Sequence, residues 1–268
     1  GGVIPALGVG VVLESKAEGF SAGDHVFGPL CSQTHAVMPA FTMKKIDTTV
    51  APASAYLGAL GLTTGLTAYF GIVDVGQVKA GDTVVVSGAA GAVDSVAGQI
   101  ARLSGASKVI GIAGGAHKSK FLVDDLKFDA AIDYKNENVA ARLDELAPDG
   151  INVFFDNVGG DILDDVLMRI VEGSRIVICG GISQYENMDD VRGPKNYLKL
   201  AERHATMEGF AVFHFAEHYA RAEKNLADWL RSGELVVREQ IEQGVENFPA
   251  VMNLLMTGGH YGKLLLKV

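Results

Sequence analysis

One stretch in the first half of the chain constrains the fold most, because a strand of buried type runs through a glycine turn into an amphipathic helix. The strand is "TVVVS", residues 83–87, and its three consecutive valines suit a sheet that is covered on both faces. Gly88 and Gly91 form the turn. Apolar residues then recur at helical spacing at Val93, Val96, Ala97, Ile100 and Leu103. A turn of this kind lets the backbone approach a pyrophosphate, whose charge the helix N-terminus stabilises.

Strands and helices alternate regularly after this unit. The segments "KVIGIAG", "AAIDY", "NVFFDNVG" and "RIVICGG" are predicted strands, and "HKSKFLVDDL", "VAARLDELA" and "DILDDVLMRIV" are predicted helices between them. A further strand, "HATMEGFAVF", precedes the helix "HYARAEKNLADWLRSG". Such alternation implies right-handed crossovers and a doubly wound parallel sheet of the Rossmann type in an α/β protein.

The two ends of the chain have a different pattern. Residues 1 to about 50 are predicted to form short strands, and 53–76 to form two helices divided by Gly61 and Gly65. Residues 235–268 are predicted to return to strand, helix and strand and to pair with the N-terminal β-rich part. The chain opens in strand-like sequence, so we expect that β-rich domain to be N-terminally truncated.

Composition restricts the possible partners. The 268 residues are 48% hydrophobic and 21% charged, which is typical of a globular protein. A net charge of -9 argues against nucleic acid or an anionic membrane as the main partner. No apolar run approaches the ~20 residues that span a bilayer, and no charged-then-apolar leader opens the chain, so we expect a soluble cytoplasmic protein. The two cysteines, Cys31 and Cys179, are too far apart for a disulfide framework or a thiolate zinc site.

Asp94 stands where a dinucleotide-binding turn usually has its third glycine. A carboxylate at that position would lie close to the phosphates, at a cost of roughly 1 kcal/mol or more if it is partly desolvated. The alternative is that Asp94 only stabilises the helix dipole in the first turn.

The end of the next strand indicates which dinucleotide would bind. Sites for NAD usually place an acid there to accept hydrogen bonds from the adenosine ribose. Here "GIAGGAHKSK" has no acid and supplies Lys118, which favours the 2′-phosphate of NADP(H). The alternative is that Lys118 is an ordinary solvated lysine at a helix terminus.

Several motifs together resemble one family. The segments "SGAAGAVDSVAGQIA", "GIAGGAHK", "FDAAIDYKNEN", "VFFDNVGG", "ICGGISQY" and "GKLLLKV" are similar to the zinc-independent medium-chain dehydrogenase/reductases, in the branch of prostaglandin, alkenal double-bond and curcumin reductases. The resemblance implies a GroES-like β-rich catalytic domain that is split around a Rossmann domain, and a homodimer. We accordingly predict a partial catalytic domain over 1–55, an NADP-binding domain over 56–229 and a return to the catalytic domain over 230–268.

The resemblance also implies site residues. The pyrophosphate turn becomes Gly91, Ala92, Val93 and Asp94. Lys118 falls at the 2′-phosphate and Tyr134 near the adenosine phosphate, while Asn157 follows a strand at its ligand-binding end. The loop beside the nicotinamide ribose contains Cys179, Gly180, Gly181, Ile182, Ser183 and Tyr185. Phe210, Ala211 and Val212 resemble the strand that lines the carboxamide, and His260 stands where the family usually has asparagine.

The implied reaction is reduction of a carbon–carbon double bond conjugated to a carbonyl in a small enone or enal, by hydride transfer from NADPH to the β-carbon. Tyr185 is the candidate donor to the carbonyl oxygen, and the alternative is that it only packs against the cofactor. Two other functions stay open, namely quinone reduction and a non-catalytic protein with weakened nucleotide binding. We expect no metal, because Cys31 and His35 form only an isolated pair.

Overall fold

The N-terminal part contains a small antiparallel sheet. The computed structural model describes residues 3–185 and 188–268, so Gly1 and Gly2 of the predicted first domain lie outside the described residues. Strands β1 (Gly8–Val11), β2 (His25–Gly28) and β3 (Lys44–Lys45) pair in that order. The predicted strand in "THAVMPAFTMKKI" is thus reduced to two residues.

A helical segment links this sheet to the rest of the chain. It begins after Gly61 and runs from Leu62 to Val75, with the short α-helix α1 (Thr67–Phe70) at its centre. The prediction that Gly65 also divides this segment was wrong. An added Cβ at Gly65 would stand 1.6 Å from the carbonyl oxygen of Ala59, so glycine serves close backbone packing inside the helical run.

A six-stranded parallel sheet forms the centre of the molecule, which confirms the predicted doubly wound α/β fold. In chain order it contains β4 (Thr83–Val86), α2 (Ala92–Leu103), β5 (Lys108–Ala113), α3 (Ala116–Asp124), β6 (Ala130–Asp133), α4 (Val139–Leu146), β7 (Ile151–Asp156), α5 (Gly160–Leu167), β8 (Ile170–Ile178), α6 (Leu198–Glu202) and β9 (Thr206–Gly209). The strand order is β6-β5-β4-β7-β8-β9. Successive strands are added on one side of β4 up to β6 and on its other side from β7 onward. Doubly wound sheets bind ligands in the crevice at this switch between β4 and β7.

The central strands are hydrophobic on both faces because helices cover both sides of the sheet. The apolar side chains that are fully buried in β4 and β7 are Val84, Val85, Val86, Ile151, Val153, Phe154 and Phe155. Two predicted boundaries were wrong. The helix in "DILDDVLMRIV" ends at Leu167, and its last apolar residues begin β8; the strand predicted through Phe213 ends at Gly209, where pairing with β8 stops.

The C-terminal part adds α7 (Tyr219–Ser232), β10 (Glu239–Gln243), α8 (Phe248–Met256) and β11 (Lys263–Lys267). Strands β10 and β11 pair with each other in parallel, rather than with β1–β3 as predicted. The predicted domain boundary at residue 229 lies within α7, and the division into domains stays a prediction.

Candidate functional site

A buried hydrogen-bond network joins the loops that follow β4 and β7. The Ser87 hydroxyl donates to Asp156 Oδ1 over 2.6 Å, and the backbone N–H groups of Val158 and Gly159 donate to the same carboxylate over 2.9 and 3.1 Å. The N–H of Asn157 donates in turn to Ser87 Oγ over 2.9 Å. Burial raises the pKa of Asp156, although these donors oppose the rise. The network fixes Asn157 at the crevice of the sheet.

The glycine turn has the shape of a phosphate cradle. Gly88 adopts a φ of +59°, which favours glycine. An added Cβ at Gly91 would stand 3.1 Å from the Gly88 carbonyl oxygen, so the backbone here is open only because both positions lack side chains. The N–H groups of Ala92 and Val93, at the start of α2, donate to no acceptor in the part of the chain that the structure describes. Free N–H groups at a helix N-terminus are suited to an anionic ligand.

The Asp94 carboxyl group lies inside this turn. It is 6% exposed, and Asn157 Nδ2 donates to its Oδ1 over 2.6 Å. Its Oδ2 lies 2.8 Å from the place that a Cβ on Gly91 would occupy. Desolvation raises the pKa of Asp94 to about 7, against the effect of Asn157 and of the residue's own N–H. Asp94 therefore fills part of the cradle in addition to lying at a favourable position for the helix dipole.

The loop predicted at the nicotinamide ribose lies along the loop that follows β7. The N–H groups of Cys179 and Gly180 donate to the Asp156 carbonyl over 2.8 and 3.1 Å, and that of Ile182 donates to the Asn157 carbonyl over 2.9 Å. The Ser183 hydroxyl donates to the Val158 carbonyl over 2.6 Å. The structure thus brings Asn157 and the segment 179–185 together, and their predicted arrangement around one ligand stays a prediction.

The Tyr185 side chain folds back onto the glycines of its own loop, Gly180 and Gly181. Its hydroxyl oxygen accepts the N–H of Gly181 over 3.1 Å, and the side chain is 56% exposed. Because that oxygen accepts one hydrogen bond, the O–H proton stays available for an outside acceptor. Cys179 is different, since burial and the nearby Asp94 raise the pKa of its thiol to about 12, so it stays a neutral thiol at ordinary pH.

Basic residues gather at the ends of β5 and β6. The Lys118 ammonium group, on α3, donates to the Gly258 carbonyl over 2.8 Å. Desolvation lowers the pKa of Lys118, and the charge of Lys135 lowers it further, so the two ammonium groups influence each other. Tyr134 and Lys135 both pack against Gly114, each about 2.9 Å from an added Cβ there. Neither lysine forms an ion pair within the described residues.

The segment 258–262 returns from the C-terminal part to this site. The N–H of Gly262 donates to the Ala90 carbonyl over 2.8 Å, and Gly262 forms a parallel bridge with Gly91. Burial and the charge of Lys118 lower the pKa of His260, whose buried Nδ1 has no partner among the described residues. His260 therefore lies beside Lys118, close to the glycine turn.

Phe210, Ala211 and Val212 lie just beyond β9 and not on a strand. The Phe210 N–H reaches the Ile178 carbonyl at 3.4 Å, and Val212 is buried where a short 3-10 segment begins. They thus lie next to the end of β8, from which the 179–185 loop starts. Their predicted contact with the carboxamide stays a prediction.

Sequence reasoning missed three parts of this site. Ser87 and Asp156 hold the two loops together, and the only signal was an acid preceding Asn157 at a strand end. Lys135 was visible only as the residue after the predicted Tyr134. The packing of residues 258–262 against the glycine turn joins elements far apart in sequence.

A large cavity lies elsewhere in the molecule. It has a volume of about 880 Å³ and contains none of the predicted site residues. Its lining includes residues of β1, of the segments 30–33 and 53–63, of α8 and of β11. Among residues 3–185 and 188–268, no group of three or more histidine, cysteine, aspartate or glutamate side chains could hold a metal ion. In the same range no helix has the length and apolar character needed to cross a membrane.

The residues of the site fit a dinucleotide phosphate at two places. The turn at Gly88 and Gly91 has free N–H groups and room that side chains would fill, and Lys118 with Lys135 supplies unpaired positive charge. Asp94 opposes an anion in the turn when its carboxyl group is ionised. The fold and this site together are those of a nucleotide-binding protein of the doubly wound class.

Comparison with known proteins identifies the family. Residues 92–230 match the family model described as zinc-binding dehydrogenase. The chain is 46% identical to a putative NADP-dependent oxidoreductase of Bacillus subtilis (YfmJ), over 98% of this chain and 78% of that protein. It is 37% identical to the 2-alkenal reductase (NADP(+)-dependent) of Nicotiana tabacum, over 100% of this chain and 78% of that protein.

A solved structure supports the same assignment. The crystal structure of CurA from Vibrio vulnificus in complex with NADPH is 34% identical, has a TM-score of 0.87 and matches 98% of this chain and 79% of its own. The chain belongs to the medium-chain dehydrogenase/reductases, in the zinc-independent branch of NADP-dependent oxidoreductases.

Proposed function

We propose that this protein reduces the carbon–carbon double bond of small α,β-unsaturated ketones or aldehydes. It is an NADP-dependent oxidoreductase by family, and the tobacco relative carries the name of a 2-alkenal reductase. The observation that carries the proposal is the single network that gathers the glycine turn, Asn157 and the 179–185 loop at the switch point of the sheet.

The cofactor NADPH would be held along the carboxyl end of the sheet. Ala92 and Val93 would donate their N–H groups to its phosphate linker, and Lys118 with Lys135 would neutralise the 2′-phosphate. When bound, NADPH supplies a hydride for the β-carbon of the substrate. Asn157 and the backbone of 179–185 would orient the nicotinamide end.

Tyr185 would act on the substrate. As negative charge develops on the carbonyl oxygen, a hydrogen bond from the Tyr185 hydroxyl would stabilise it, and such donors contribute roughly 3 kcal/mol. The Gly181 N–H that the Tyr185 oxygen accepts makes the hydroxyl a better donor and holds it in place. The proton that completes the α-carbon would come from solvent. A homodimer and a cytoplasmic location stay predictions.

Product analysis tests this function. The purified protein is incubated with NADPH and a linear enone or enal, and the products are identified by mass spectrometry and NMR. We expect the saturated ketone or aldehyde with its carbonyl intact, whereas an allylic alcohol would contradict the proposal. A parallel assay with a quinone decides the alternative, because faster quinone turnover would favour quinone reduction.

The non-catalytic alternative has its own test. Titration of the protein with NADPH, followed by the fluorescence of either partner, should show saturable binding. If NADPH binds but no enone, enal or quinone is reduced, the protein is the non-catalytic family member of the alternative hypothesis.

A further inference from the structure

Asp94 is a buried acid without a compensating positive charge. Its carboxyl group is 6% exposed, and its hydrogen-bond donors are the Asn157 amide at 2.6 Å and its own N–H. No lysine, arginine or histidine of the described residues forms an ion pair with it. A group in this setting is much more easily accommodated neutral than ionised.

The charged and titratable groups that face Asp94 are also acidic. Asp156 lies at the end of β7, and its negative charge disfavours ionisation of Asp94. Cys179, which follows β8, is within electrostatic reach of both carboxyl groups. Its thiol pKa of about 12 keeps it neutral at ordinary pH. Nothing on these elements therefore offsets a negative charge at Asp94.

The phosphate linker of a dinucleotide would need the same place and the same donors. Asp94 Oδ2 lies against Gly91, and Asn157 donates its amide to Asp94. The free N–H groups of Ala92 and Val93 belong to the same helix turn. An ionised Asp94 would thus repel the linker, whereas a protonated Asp94 carries no charge and has an O–H that can donate to a phosphate oxygen.

We propose that Asp94 couples cofactor binding to protonation, so that the phosphate linker enters the turn only together with a proton taken up from solvent by this carboxyl group. This inference rests on the proposed function only in its choice of ligand. It makes Asp94 a residue that sets both the affinity for the dinucleotide and its dependence on pH.

The direction and pH range follow from linkage. The Asp94 pKa of about 7 is that of the cofactor-free protein. Below it the carboxyl group is already protonated, so affinity is constant. Above it each binding event must take up a proton, and the Kd should rise about tenfold per pH unit.

The 2′-phosphate of NADPH has a pH dependence of its own, which affects the choice of ligand for a test of Asp94. A 2′-phosphate has a second pKa of about 6 and binds the cationic Lys118 more strongly as a dianion, which works in the opposite direction. Burial and the charge of Lys118 lower the pKa of His260, which lies beside Lys118 and would act on the same phosphate when protonated. NADH lacks the 2′-phosphate but keeps the linker, so it reports Asp94 with neither effect.

The experiment is calorimetric titration with NADH and with NADPH from about pH 6 to about pH 9, in two buffers of different ionisation enthalpy at each pH. The variants are wild type, Asp94→Asn and Asp94→Gly. Asp149→Asn is the control, because Asp149 is an exposed aspartate in the turn before β7, at the opposite end of the parallel sheet from the glycine turn. We expect wild type and Asp149→Asn to take up about one proton per NADH above about pH 8, and both Asp94 variants to show a flat NADH profile.

The outcomes separate this inference from the proposed function. Equal pH slopes for NADH in wild type and Asp94→Asn would overturn the inference and leave the function standing. Cofactor binding with the expected slope but no enone turnover would overturn the function alone. If Asp94→Gly, folded by circular dichroism, binds neither cofactor at any pH, both proposals fail.

Discussion

Replacing Asp94 with asparagine should change how the stability of the cofactor-free protein depends on pH. Burial raises the pKa of this carboxyl from 3.8 to about 7. Between these values the folded protein binds more protons than the unfolded chain, so the free energy of unfolding falls as pH rises. The whole difference corresponds to about 4 kcal/mol, of which about 3 kcal/mol is lost between about pH 5 and about pH 8. Asparagine has nearly the same shape, stays neutral and can still accept from Asn157.

Urea unfolding measures this difference. The free energy of unfolding is determined for wild type and Asp94→Asn at several pH values, using circular dichroism and the fluorescence of Trp229, the single tryptophan. The stability advantage of the variant should grow by about 3 kcal/mol from about pH 5 to about pH 8. Asp149→Asn should follow wild type throughout. Parallel profiles for wild type and Asp94→Asn would show that Asp94 has an ordinary pKa and refute the reasoning.

Further variants test other parts of the site. Lys118→Ala should weaken NADPH much more than NADH, and equal losses in a binding assay would contradict the 2′-phosphate assignment. Lys135→Met should act in the same direction, whereas Lys120→Met, an exposed lysine on α3, should change neither Kd. Tyr185→Phe should lower kcat for an enone roughly 100-fold with little change in the Kd for NADPH, and unchanged kcat would leave Tyr185 a packing residue. Gly65→Ala should lower the melting temperature by several degrees, because its Cβ would overlap the backbone of residue 59.

The central sheet was predictable because its signals are local. The runs of valine and phenylalanine in β4 and β7 are buried on both faces, and their composition alone reports this. The wrong prediction of a helix break at Gly65 also has a physical reason. A glycine that ends a helix and a glycine that admits a neighbouring backbone cannot be distinguished in sequence. The end of β9 at Gly209 was missed because the residues after it are also apolar, whereas Phe210 packs edge-on against Phe215 and a 3-10 segment begins at Val212.

The sequence suggested candidate residues for the site, but the connections between them could not be predicted from it. The motifs identified Asn157 and the 179–185 loop, which the structure places in contact. The Ser87–Asp156 hydrogen bond spans 69 residues of sequence and the Lys118–Gly258 bond 140, so no local pattern reveals either. Lys135 was missed for the same reason, because its effect on the pKa of Lys118 depends on the pairing of β5 with β6.

Asp94 replaces the third glycine of the turn, and the structure shows where its side chain lies. The third glycine of a dinucleotide turn serves close packing of helix on strand. In α2 a glycine admits a close neighbour at Gly98, where an added Cβ would stand 2.0 Å from the Phe128 ring, while the Asp94 side chain turns back toward Gly88 and Gly91. The Asp94 side chain thus lies in the turn, and we expect its penalty to be electrostatic. A packing penalty would be independent of pH, whereas this one is removed by a single proton, so pH is the variable that separates the two explanations.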